Sequence, residues 1–114
     1  MTDAAADQVM GALDELEQAL EESSALHQEA LSRVQRIRGR RRDGRPYSDI
    51  VRTEPRPRIV ELVSRSLERL RSAGSRFRRT EAQALRSEGM KTEEIASLYG
   101  VTRQRVSRLT RPER

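Results

Sequence analysis

The chain has no cysteine, no tryptophan, a single histidine, and only three aromatic residues in 114 positions, Tyr47, Phe77 and Tyr99. Without cysteine, a disulfide framework and a thiolate nucleophile or metal site are excluded, and one histidine is poor material for zinc. So few aromatic rings leave little with which to stack or flip bases. No segment approaches the length and apolarity of a membrane span or the layout of a signal peptide, so a cytoplasmic chain with no membrane partner is expected. A glycine-rich phosphate loop is missing, which argues against a nucleotide cofactor. Serines and carboxylates are scattered, and no pair of them has a base beside it, so the expectation is a non-enzyme without catalytic residues, cofactor or metal.

What the chain has is charge and helical periodicity. At 34% hydrophobic content, 114 residues bury one small domain and leave room for an extended arm, and the patterning is all-α. Residues 1–32 hold eight acidic side chains and no Lys or Arg, leaving 23 basic against 10 acidic residues in the remainder. Such asymmetry is a sign of a nucleic-acid-binding body with an acidic arm. Of the basic residues only Lys91 is a lysine. Arginine suits bidentate guanine and phosphate contacts, although a GC-rich genome also favours arginine codons.

Three regions follow from the pattern: an acidic amphipathic helix over 1–38, a linker over 39–57 and a helical domain over 58–114. In the first, Ala6, Val9, Leu13, Leu16, Leu20, Ser23, His27, Ala30, Val34 and Ile37 recur at alternating three- and four-residue steps, which are heptad a and d positions. Such a helix is on the order of 48 Å long over 32 residues and is unstable unless its stripe is covered. The expected cover is a second copy, giving a coiled-coil homodimer through Val9, Leu13, Leu16, Leu20, His27, Val34 and Ile37. The alternatives are folding back onto its own domain or pairing with another protein.

In the linker, Gly39, Gly44, Pro46, Pro55 and Pro57 argue against continuous helix. Arg40, Arg41, Arg42 and Arg45 are placed to contact DNA phosphates or enter the minor groove, and Gly44-Arg45-Pro46 resembles the short core of an AT-hook. Beyond it, Ile59, Val60, Val63, Leu67 and Leu70 form one apolar helix face, itself a second candidate for dimer contact. Ser72, Ala73, Gly74 and Ser75 are expected to end that helix, with Phe77 plugging the junction to a three-helix unit.

The densest signal lies at 92–109, TEEIASLYGVTRQRVSRL. Thr92 is expected to cap one short helix, with Glu93 and Glu94 in its positive first turn, and Gly100 to leave it in a left-handed conformation. Thr102 is expected to cap a second helix. Ile95, Leu98, Val106 and Leu109 are spaced to share a core, with Ala96 allowing close approach. Arg103, Gln104, Ser107, Arg108 and Arg111 then recur on one outward face, offering forked donors and an amide that suit base edges and phosphates. Upstream, Thr80 and Gln83 read as a capping box for a first helix with Ala82, Ala84 and Leu85 inside, ending at Ser87, Glu88 and Gly89.

From Thr80 to Arg111 the chain resembles the helix-turn-helix DNA-binding family, and IASLYGVTRQRVSRL is similar to the DNA-binding end of bacterial sigma factors and serine recombinases. The resemblance implies that Ala96 is the small residue of the first motif helix, Gly100 the turn glycine, and Val106 and Leu109 the buried positions of a recognition helix. It further implies that Thr102, Arg103, Gln104, Ser107 and Arg108 face DNA. As whole-protein models both relatives fail, since neither a promoter-melting domain nor a catalytic domain fits upstream.

The combined expectation is a sequence-specific, double-stranded-DNA-binding regulator of bacterial or phage type, dimeric and nucleoid-associated. Arg103, Gln104, Ser107 and Arg108 would read bases, while Thr92, Thr102, Arg105 and Arg111 assist at phosphates. Two competing readings are a protein-interaction module whose acidic arm binds a partner such as RNA polymerase or a sigma factor, and a non-specific nucleoid-associated protein. An acidic arm that shields the basic body from DNA would join the first two.

Overall fold

A computed structural model describes residues 3–111, and every regular element among them is helical: α1 (Ala4–Arg42), α2 (Tyr47–Arg52), α3 (Ile59–Ser87), α4 (Thr92–Tyr99) and α5 (Arg103–Thr110). The all-α expectation with a long N-terminal helix holds. None of these helices is long and apolar enough to cross a membrane. The chain forms two compact units, one of residues 18–70 and one combining the stretches up to Glu17 and from Arg71 onward.

In the 18–70 unit, the later part of α1 and the start of α3 run antiparallel. Glu22 accepts from Arg69 at 3.0 Å, His27 Nε2 and Ser66 Oγ lie 2.8 Å apart, and the Arg33 guanidinium donates to the carbonyls of Pro55 (3.0 Å) and Pro57. The buried positions of α1 here are Ala19, Ser23 and Ala30, and those of α3 are Leu62 and Ser66. Small side chains at the seam let helices approach closely, and dispersion between well-packed atoms does the rest.

This register uses only part of the predicted stripe within the chain. It shares Ser23 and Ala30 with the expected seam, but the row Leu13, Leu20 and His27 is exposed, while Val9, Leu16, Val34 and Ile37 are half-buried. The small-residue row sits one position away from the leucine row, and hydropathy alone ranks the larger side chains first. The seam of α1 is therefore covered from within its own chain.

Ser23 carries a cost. Its hydroxyl is buried and finds no hydrogen-bond partner among the described residues. A desolvated, unpaired hydroxyl is destabilising by about 1–3 kcal/mol, so Ser23→Ala is expected to raise stability by about 1 kcal/mol, read as a later midpoint in urea unfolding. A lower midpoint would mean that the hydroxyl is satisfied.

The linker is more ordered than expected. α1 runs on to Arg42, past Gly39, and α2 places Ile50 fully buried. Glu54 closes the segment: one carboxylate oxygen accepts from the backbone N–H of Ile59 at 2.8 Å and the other from Arg58 Nε at 3.0 Å. The Ile59 hydrogen bond, supported by Arg58 and Arg33, outweighs burial and holds this carboxyl below its ordinary value of 4.5. A depressed carboxyl contributes stability above that value and loses it as pH falls through the folded-state value. Glu54→Gln is thus expected to lower stability by about 1–3 kcal/mol at neutral pH, with the gap to the parent closing on acidification below pH 4.5. A gap that stays constant with pH, in paired thermal melts, would remove the carboxylate from this role.

In the other unit, the Glu15–Arg76 ion pair joins the beginning of α1 to the later part of α3, and Ala12 and Ala73 on these stretches are fully buried. α3 does not stop at Ser72–Ser75. Helix on both sides and the close packing of Ala73 override the roughly 1 kcal/mol penalty of Gly74. Thr80 consequently lies inside a helix and caps nothing: its hydroxyl donates back to the carbonyls of Arg76 and Phe77 at 3.0 and 3.1 Å. Gln83, the other half of the expected box, donates to the Arg111 carbonyl at 3.4 Å. Ala82 and Ala84 are buried as expected, Phe77 and Leu85 half-buried, and α3 ends at Ser87 with Gly89 at φ 97°.

Candidate nucleic-acid interface

The site is built on α4, a tight turn and α5. α4 is capped one residue earlier than expected: Lys91 is the N-cap, and its N–H donates to the Glu94 carboxylate at 3.3 Å. Thr92 is the first helical residue and is half-buried. Gly100 ends α4 with φ 66° and ψ 36°, a left-handed conformation that raises steric strain for any residue with a Cβ. The N–H of Val101 then closes on the Ala96 carbonyl at 3.0 Å. Thr102 caps α5, its hydroxyl accepting from the N–H of Arg105 at 3.1 Å.

Ile95 and Val106 are completely buried and form the core with Ala96, against which Leu85, Met90, Tyr99 and Val101 pack. Leu109 is buried as well. Leu98, assigned to that core by its spacing, instead stands 65% exposed. The glycine turn rotates α5 so that Val106 meets Ile95 and Ala96, and Tyr99 fills the position that Leu98 would have needed. Tyr99 also fixes α4 to α3: its hydroxyl donates to Glu81 at 2.5 Å. Burial, together with the hydrogen bond and charge of Glu81, pushes that hydroxyl well above its ordinary value. The sequence reading missed this pair, because 18 positions separate the partners and neither belongs to a motif.

On the outer side of α5, Arg103, Gln104, Ser107, Arg108 and Arg111 line one open concave surface. These are the five residues expected to share a face, and helical spacing carries them there once Thr102 and Val106 set the helix's start and rotation. Arg103 pairs with Glu93 at 3.1 Å, with both side chains more than half exposed, so the pair is readily exchanged for another anion. Arg105 does not join them. It lines a separate groove with Gly74, Phe77, Arg78, Glu81, Tyr99, Val101 and Leu109.

Arg40, Arg41 and Arg42 form the last turn of α1 and Arg45 follows in the turn, all within the 18–70 unit. Arg40 donates to Thr53 Oγ1 at 3.3 Å and Arg41 to the Arg45 carbonyl at 3.4 Å, while Arg42 and Arg45 are exposed. Cations at a helix C-terminus also complement the macrodipole, so these residues have a local role that needs no ligand. Among the described residues no group of three His, Asp or Glu side chains is arranged to hold a metal ion.

No family model matches the chain, and neither a curated protein nor a solved structure matches it.

Proposed function

We propose that this protein is a sequence-specific double-stranded-DNA-binding regulator of the helix-turn-helix type, working as a homodimer on the bacterial or phage nucleoid. The observation that carries the reading is the concave α5 surface, where exposed arginines, a glutamine and a serine converge on a helix braced by a closed core. Arg103 and Arg108 suit the O6 and N7 of guanine, Gln104 suits adenine, and Ser107 accepts either edge. Arg111 and the α5 N-terminus, capped by Thr102, serve phosphates. Arg105, turned to the other groove, takes no part in base reading. Arg40, Arg41, Arg42 and Arg45 add sequence-independent phosphate contacts. No enzymatic step is assigned to the chain.

The test is binding of the full-length protein to genomic fragments and to random duplexes across a salt series. A steep fall in affinity with salt, together with enrichment of a defined site, is expected. Salt dependence without enrichment would leave only backbone binding, and no binding near physiological salt would favour a protein partner for the acidic helix.

A further inference from the structure

The helix pair of the 18–70 unit places its side chains in an order that a solitary pair would reverse. Alanines and serines fill much of the seam, whereas Leu20, Leu31, Val60, Val63 and Leu67 are between 38% and 66% exposed. On α1, Leu20 and Leu31 lie on one stripe with Ser24 and His27, and on α3, Val60, Val63 and Leu67 follow the three- and four-residue spacing of a single face. Both stripes lie on one flank. Leu20 and Leu31 follow buried Ala19 and Ala30, and Val63 and Leu67 follow buried Leu62 and Ser66. An antiparallel pair is related by a two-fold axis normal to the plane of its helices, which keeps equivalent positions on the same side. The His27–Ser66 contact crosses the pair from the α1 row to the buried row of α3.

We propose that this flank is the interface between two copies of the chain, stacked face to face about a two-fold axis as a four-helix bundle. The five apolar side chains present on the order of 400 Å², comparable to the largest patch on a typical monomer, which is often a functional one. That is about half of the roughly 800 Å² per partner of a standard stable interface, so the polar residues bordering the rows have to supply the rest. The middle of the flank suits a second copy. Ser24 stands within the α1 row next to His27, and Gln28 and Ser64 stand beside the rows; these three are exposed and uncharged, so a two-fold axis passing at them sets no like charges against each other on the axis, with Glu21 and Glu68 lying toward the Leu20 and Leu67 end. Heptad-spaced rows on two antiparallel helices are the half-bundle from which such a dimer is made. The interface differs from the coiled-coil seam expected from the sequence, in that α3 supplies half of it. It deepens the dimeric reading proposed above, yet it stands on the helix pair and not on DNA binding.

Sedimentation equilibrium of the full chain without DNA tests it. A mass of twice 13.1 kDa is expected over a wide concentration range. Leu20→Gln with Leu67→Gln is expected to return a single-chain mass with unchanged helical circular dichroism, the dissociation constant rising by about 100-fold or more. A single-chain mass for the parent protein at every concentration overturns the proposal, as does a dimer that the double variant leaves intact. Should the double variant lose helix, a nitroxide on Gln28→Cys, beside the rows of this cysteine-free chain, decides. A short inter-copy distance in pulsed dipolar spectroscopy supports the interface, and no dipolar signal overturns it. Because DNA is absent throughout, failure here is separate from failure to read a sequence.

Discussion

Replacing Arg103 and Arg108 together by alanine is expected to erase discrimination between the preferred site and random duplex while leaving the fold intact. Each bidentate contact to a guanine is worth about 1–3 kcal/mol of discrimination, so the pair should lower specific affinity by about 100-fold or more. Both residues are exposed on α5 and contribute nothing to the buried cluster of Ile95, Ala96 and Val106. The Arg103–Glu93 ion pair is lost in the variant, but a pair so exposed contributes at most about 1 kcal/mol to stability. Fluorescence anisotropy on the selected site and on a scrambled duplex reads the ratio directly. An equal loss on both would turn the two arginines into phosphate contacts, and no loss on either would move DNA binding away from this face of α5.

Ile95→Ala should be the most damaging single truncation in the α4–α5 unit. Ile95 is fully buried beside Val106 in a core with few large side chains, and truncating such a residue is destabilising by about 2–5 kcal/mol. In a domain of this size that is a large share of total stability, so the melting transition should fall by well over ten degrees or the α4–α5 region should unfold first. Leu98→Ala, three positions along the same helix, is the control. Leu98 is 65% exposed, and its loss should stay within about 0.5 kcal/mol. Equal effects of the two substitutions in thermal melts would mean that α4 is rotated from the orientation described.

The difference between those neighbours shows where sequence reading stops. In TEEIASLYGVTRQRVSRL the turn, the second cap and the outward face were legible, because Gly100, Thr102 and the three- and four-residue spacing of Arg103, Gln104, Ser107, Arg108 and Arg111 are local signals. A glycine that adopts φ 66° and a threonine hydroxyl that meets an N–H three residues on depend on nothing distant. The choice between Leu98 and Tyr99 for the core was not legible. It depends on the crossing of α3 and α4, where Glu81 offers Tyr99 a hydrogen bond that no periodicity records.

The same division runs through the rest of the chain. Helicity, the long first helix and the asymmetry of charge belong to the one-dimensional pattern. Proline and glycine in 39–57 announced a break, but not that Ile50 would be buried there or that Glu54 would cap α3. Residues 72–75 read as a helix end because serine and glycine weaken helix locally, and packing of Ala73 reversed that local preference.

For α1, periodicity established that one face must be covered, since a stripe repeating every three or four residues needs a partner surface before a long polar helix is stable in water. It could not select between two adjacent rows, one of alanine and serine and one of leucine, that differ by a single position. Tertiary packing selected the small row for the contact with α3, because close approach of two backbones demands side chains with no bulk, and it left the leucines facing outward.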